Sequence, residues 1–482
     1  MGWSIPQAPA PQKAVRWSPW VCLFITGAGY LAALAWVVLS TPFGRLPALS
    51  SGYYLPVTGY TLTGVGIALT IYLVWWEAQA LRFFSLTWWQ HNTYRAWRAW
   101  ALESLVMVKS VMLTAEPGLI PSLAGIQPKL PEDDEGSKAK TLNLDGAVIP
   151  GLNRFTQICR TLLEDVAPSL VSLPAHFPIT VYLQTTGDED QRQGRFENLW
   201  NEILPGRALE LHLLSDVLPF EIWNQTVLSS PHPVLALALH YRQPGEEAAE
   251  IATALLLSPA GLLNITSGQS LTRLFRAMPV NPEKLVDELS ELKAMAQQPA
   301  DNIRLLWFSG LSDSAKQSLS TAAFTMQLPL SGAVPGGGVI DVGQGGGHYG
   351  SLSGWLLAGI AAQMAEQGQG SQWVVCENNG QTWAMAVGRH NPSPQPPHTE
   401  LPGQPFPCGG LSLGLLFCGL VFGAVGTAWP QWLFSGWGFT VVLSSLLLVL
   451  PGCVLGLRYL ISRVTESAFI RAAQGPARGE PV

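Results

Sequence analysis

Charge is scarce in this chain. Only 12% of its 482 residues are Asp, Glu, Lys or Arg, about half the share usual in soluble domains. The formal net charge is −6 and no basic stripe runs through the middle, which excludes a nucleic-acid binder. Cysteine is sparse and scattered. None of the six forms a CxxC pair, so a structural zinc or a disulfide framework is excluded. Glycine triplets occur at 336–338 and 345–347, but no Lys-Ser or Lys-Thr follows them, so there is no P-loop. Ser309-Gly310-Leu311-Ser312 is not GxSxG, and an α/β-hydrolase elbow is unsupported. His232 and His240 stand eight apart. A metal shared by the two is less economical than two surface histidines with ordinary partners. No metal and no cofactor are expected.

Long apolar runs are what the chain has. Four lie in two pairs, Pro19 to Leu39 with Leu55 to Trp76, and Gly409 to Ala428 with Gly438 to Leu457. None holds a charged residue. About 20 residues at 1.5 Å per residue cross a hydrocarbon core of about 30 Å. The spans therefore predict two membrane hairpins, residues 1–76 and 409–458, in contact with membrane lipid. The apolar interiors offer an ion pathway no ligand. Lys13 and Arg16 precede the first span; Arg82, Arg95, Arg98 and Lys109 follow the second; Arg458, Arg463, Arg471 and Arg478 follow the fourth. The loops inside each pair hold Arg45 alone. Basic flanks favour the cytoplasmic side. The expected topology is a bacterial inner-membrane protein with both termini and the large middle region cytoplasmic. Reduced Cys159 and Cys376 suit that compartment.

After the second span the chain is Trp-rich and lacks Gly and Pro as far as Leu113. A juxtamembrane helix is predicted over residues 77–116, with Trp88, Trp89, Trp97 and Trp100 on one side and Arg95 and Arg98 on another. It either lies along the membrane or packs on the soluble domain. Residues 117–136 hold four prolines and the acidic run Glu132 to Glu135, a solvated loop. Residues 391–408 are a Pro-rich linker. Between them, residues 140–390 form the expected folded domain. Ile179 to Gln184, Val234 to His240, Ile251 to Leu257, Ile303 to Phe308, Gln372 to Glu377 and Thr382 to Val387 read as strands. They alternate with amphipathic helices, as in a layered α/β domain.

One segment of that domain carries a resemblance. Asp341 to Gln363, DVGQGGGHYGSLSGWLLAGIAAQ, resembles the loop-to-helix segment of the thiolase and β-ketoacyl synthase superfamily. The strands Gln372 to Glu377 and Thr382 to Val387, joined by Asn378-Asn379-Gly380, are similar to its closing hairpin. Pro233 to His240 with Glu246 to Ser258 are similar to the end of its first half. The resemblance implies a thiolase-like α/β domain of two similar halves, each with a sheet and a buried helix. It also implies a nucleophilic cysteine in the first half, yet the matching region, Leu213 to Thr226, has no Cys. His348 alone matches a family histidine, so it is the single weak catalytic candidate. Gly345, Gly346, Gly347 and His348 are instead expected to bind or pack.

The chain is therefore expected not to be an enzyme. The paired spans around such a domain resemble accessory membrane proteins of bacterial type VI secretion systems. That resemblance implies a scaffold or adaptor whose cytoplasmic domain makes protein–protein interactions with other subunits or an effector; self-association is left open. The alternative is a membrane-bound acyltransferase of the thiolase-like superfamily. An enzyme has to show a nucleophile beside a base, and that feature separates the two.

Overall fold

The computed structural model describes residues 15–40, 51–115, 118–125, 141–142, 144, 153–186, 192–214, 219–241, 250–263, 270–332, 334, 337–343, 352–378, 380–392 and 403–473. The chain divides into two compact units, Trp97–Gln395 and, from both ends of the sequence, Ile5–Ala96 with Pro396–Val482.

The second unit is helical. It contains α1 (Pro19–Ser40), most of α2 (Ser51–Ala101) and, near the C-terminus, α10 (Cys408–Ala428), α11 (Pro430–Leu433) and α12 (Gly436–Ala473). Among the described residues four helices are long and apolar enough to cross a membrane. Gly409, Gly410 and Gly414 of α10 are buried. A Cβ at Gly410 would lie 2.7 Å from Val454 Cα, and one at Gly409 would lie 2.7 Å from Val74 Cα. These glycines let α10 press its backbone against α2 and α12, as small residues do in apolar helix packing.

The first unit is a layered α/β structure. In chain order it runs β1 (Ser104–Thr114), α3 (Leu119–Leu123), α4 (Arg154–Ser172), β2 (Ile179–Thr185), α5 (Arg192–Ile203), β3 (Leu209–Leu214) and α6 (Pro219–Ile222), which continues as a π-turn over Trp223–Val227. Then come β4 (Val234–His240), β5 (Ile251–Ser258), β6 (Arg273–Phe275), β7 (Met278–Val280), α7 (Leu285–Met295), β8 (Ile303–Ser309), α8 (Asp313–Thr325), β9 (Val339–Asp341), α9 (Ser353–Glu366), β10 (Ser371–Asn378) and β11 (Gln381–Gly388).

The strand order is β3-β2-β4-β5-β1-β6-β11-β10-β8-β9, with β7 beside β11. It reads as one pattern written twice. Within each half the second, third and fourth strands are parallel. The fifth is antiparallel to the fourth and to the first. The halves join where β1 pairs with β6, Ser104 opposite Phe275. This is the layered architecture of two similar halves, each with its own run of strands, expected from the sequence.

Three apolar cores match the layers. One packs α4 and α5 on the first half, around Phe155, Leu162, Trp200 and Leu237. One packs α7 and α8 on the second, around Leu289, Leu306, Leu319 and Trp373. The third lies between the halves and holds α6, the π-turn and α9 with Leu255, Trp307, Val374 and Met385. Helix α9 is buried nearly all round, so it is apolar on every face rather than striped. Gly359 keeps the packing close there, because a Cβ would approach Met112 Cε to 2.9 Å and Thr253 Oγ1 to 3.0 Å and those side chains would have to shift.

Two boundaries differ from the sequence expectation. Helix α2 ends at Ala101, and residues read as its continuation form β1 in the middle of the sheet. Val106 and Val111 pair with Ser258 and Ala254, where β-branched side chains fit a pleated surface. The α/β unit therefore begins at Trp97 and not near residue 140.

Candidate functional site

In open α/β sheets the carboxyl ends of parallel strands are where loops and ligands gather. In the first half these are the ends of β2, β3 and β4. Register sets Thr185 against Leu239, and Thr186 N donates to Leu239 O at 3.2 Å. Thr186 thus stands beside His240. Its Oγ1 lies 2.7 Å from His240 Nδ1. The imidazole is only 5% exposed, while Thr186 is exposed. For Nδ1 to accept that hydroxyl proton, the ring carries its own proton on Nε2. Arg192, the first residue of α5, donates from Nη1 to Thr185 Oγ1. Gln184, one residue earlier, is fully buried and accepts from Trp355 Nε1 at 3.1 Å.

Trp355 connects this edge to the middle layer. Its ring meets Trp223 edge-on, centroids 6.4 Å apart. Trp223 Nε1 donates to Phe275 O at 2.9 Å, so both indoles are hydrogen-bonded as well as packed. Phe220, Trp223, Val342, Leu352 and Trp355 share one apolar core, with Leu214 against it. Beyond His240, Glu250 is 4% exposed and is held by Leu142 N at 2.8 Å and Arg154 Nη2 at 2.5 Å.

The second half differs at the matching edge. It carries Ser309 at the end of β8 and Cys376 in β10, opposite each other in register. Gly310 follows with φ +79°, and a Cβ there would lie 2.3 Å from Glu377 O, so the backbones approach too closely for a side chain. Burial, with Glu377 adding to it, pushes the Cys376 thiol up to about 12. Cys159 is also fully buried, in α4. Neither is exposed to meet a substrate as a nucleophile.

The residues singled out from the sequence fall in several places. Gly345, Gly346, Gly347 and His348 lie outside the described residues. His240 is buried, not on the surface, and His232 precedes the opposite end of its strand. Trp97 packs against the core that holds residues of α7 and α8. The Trp100 ring lies 4.3 Å from the Arg276 guanidinium carbon. The Trp89 ring meets Phe469 in the helical unit at a tilt of 45°, centroids 5.5 Å apart, Trp88 and Arg95 are exposed, and Arg98 is half-buried. Trp97, Arg98 and Trp100 belong to the α/β unit, and Trp88, Trp89 and Arg95 to the helical unit. Thr186 was missed in the sequence, since nothing in ITVYLQTT pairs it with a histidine 54 residues away.

No protein-family model matches the chain. No curated protein matches it either. Solved structures do. Acetamide-bound OleA from Xanthomonas campestris is 10% identical, with a TM-score of 0.36, over 59% of this chain and 98% of that one. AbyA1, a tetronic acid condensing enzyme, is 9% identical with a TM-score of 0.36, over 59% and 99%. FabH, the 3-oxoacyl-(acyl carrier protein) synthase III of Xanthomonas oryzae pv. oryzae, is 9% identical with a TM-score of 0.35, over 59% and 98%. The expectation that this chain is not an enzyme is corrected here: the structures it is similar to include a condensing enzyme and a synthase.

Proposed function

We propose that this chain is a membrane-bound acyltransferase with a thiolase-like α/β unit. The observation that carries the reading is the polar group of Gln184, Thr185, Thr186, Arg192 and His240 at the carboxyl ends of β2 and β4. It adjoins the apolar layer of Trp223 and Trp355. A few convergent polar groups beside an apolar wall suit a ligand with a reactive polar end and a greasy body, and an acyl thioester is such a ligand. In this reading Gly345, Gly346, Gly347 and His348 help bind the donor, and His348→Ala raises KM without abolishing turnover. The α/β unit lies on the cytoplasmic side, as the basic flanks favour. Alkaline phosphatase fused after residue 395 is then inactive; an active fusion overturns that placement.

The test uses the full chain in nanodiscs with acyl-coenzyme A and acyl-carrier-protein thioesters of several chain lengths. Thiol release above the protein-free rate, abolished by His240→Ala, is the expected result. No release from any donor by a folded, monodisperse preparation overturns the reading.

A further inference from the structure

The superfamily's cysteine is absent, and the buried thiols of Cys159 and Cys376 cannot take its place. We propose that Thr186 is an activated nucleophile, with His240 as its general base. The inference rests on the acyl-transfer reading above and gives that site its covalent step. Its basis is geometric. A nucleophile and its base must lie within about 2.6–3.2 Å, and Thr186 Oγ1 is 2.7 Å from His240 Nδ1. Exposure is divided as the chemistry requires. The hydroxyl residue faces outward at the end of β2, while the imidazole is held by burial and by strand register. Main-chain bonding fixes the pair, since Thr186 N donates to Leu239 O. The Thr186 backbone is therefore held beside the ring, and the hydroxyl reaches Nδ1 in the χ1 rotamer seen here.

The step balances as follows. Thr186 Oγ1 attacks the thioester carbonyl carbon and gives its proton to His240 Nδ1. The tetrahedral oxyanion collapses, the C–S bond breaks, and His240 returns the proton to the departing thiolate. The product is a thiol and an acyl ester on Thr186. An acceptor hydroxyl or water then gives its proton to His240 and attacks the ester. The acyl group leaves on the acceptor, and the proton goes back to Thr186 Oγ1. No oxidant or cofactor is consumed. Arg192, bonded to the neighbouring Thr185, places a fixed cation beside the strand end where the oxyanion develops.

A hydrogen bond that merely satisfies a buried histidine would leave no covalent trace. The full chain in nanodiscs is therefore treated in parallel with decanoyl-coenzyme A and with a fluorophosphonate probe, which reacts with activated hydroxyls whatever the natural substrate. Peptide mass spectrometry locates the adduct. One acyl or phosphonyl group on Thr186 is expected. It is retained in Thr186→Ser, lost in the near-isosteric Thr186→Val, and slowed about a hundredfold in His240→Gln. Thioester turnover that survives Thr186→Val with no adduct overturns this assignment and leaves the acyl-transfer reading intact. Phosphonylation of Thr186 without turnover of any thioester supports the activated hydroxyl and sinks the acyl-transfer reading. No adduct from either reagent, or equal labelling in His240→Gln, overturns the inference.

Discussion

Glu77 of α2 and Arg458 of α12 form an ion pair, Nε to Oε1 3.3 Å, in which the carboxylate is fully enclosed. The other carboxylate oxygen accepts from Gly410 N at 2.9 Å, and Arg458 Nη2 donates to Pro405 O at 2.5 Å. One carboxylate thereby ties the N-terminal hairpin to both helices of the C-terminal one. Removing one partner of a buried pair leaves an uncompensated charge and costs about 3–5 kcal/mol. Arg458→Ala is expected to lower stability by that order in SDS titration of the micelle-bound chain. Glu77→Gln keeps an acceptor for Gly410 N and is expected to cost less. The double variant Glu77→Gln, Arg458→Ala should recover part of the loss. Equal and additive losses would rule out the coupling.

The glycines of α10 supply an internal control for helix packing. A Cβ at Gly410 meets Val454 backbone at 2.7 Å, whereas at Gly419 nothing lies within 4 Å. Gly410→Ala is expected to destabilise the helical unit by about 1–3 kcal/mol through overpacking. Gly419→Ala is expected to be neutral or slightly stabilising, because alanine is the better helix former. The same SDS titration reads both, and matching midpoints would show that the close approach is not maintained.

Cys376 sets an alkaline limit on the α/β unit. Its thiol titrates near 9.0 when unperturbed and is pushed up to about 12 in the fold, mainly by burial. The folded state therefore holds its proton where the unfolded chain releases it. The resulting stability is complete below pH 9 and is lost as pH rises from about 9 to about 12. Wild type should lose stability over this range relative to Cys376→Ala, measured as the difference between their denaturation midpoints at each pH. The ordinary cost of the smaller side chain is constant with pH and drops out. A pH-independent difference would contradict the burial of the thiol. Native Cys376 should also resist iodoacetamide until the chain is unfolded.

Much of the fold was legible because its strands are buried on both faces. ITVYLQ, VLALALH and IATALLL are continuous apolar runs, as sheets covered on both sides require. Helix α9 was legible for a related reason, since a helix buried nearly all round is apolar or small-residued on every face. Strand β1 was not. LVMVKSVML follows Ala101 with no glycine or proline to mark the change, and Lys109 interrupts its apolar run. Its strand character comes from pairing with β5, some 140 positions on, which no local pattern contains. The candidate site was hidden in the same way. Thr186 and His240 meet only because β2 and β4 share one register. Glu77 stands one residue past the second apolar run, and its partner is 381 residues away.

The placement of β1 also gives the chain a timetable. Thr114, the last residue of that strand, pairs with Ile251. At synthesis rates of about 5–20 residues per second, the partner strand leaves the ribosome roughly 7–30 seconds later. Throughout that delay a newly made apolar strand, immediately downstream of the second hydrophobic segment, has neither of its ladders. Among the described strands it waits longest for a ladder partner, and it is the strand a holding chaperone has most reason to cover.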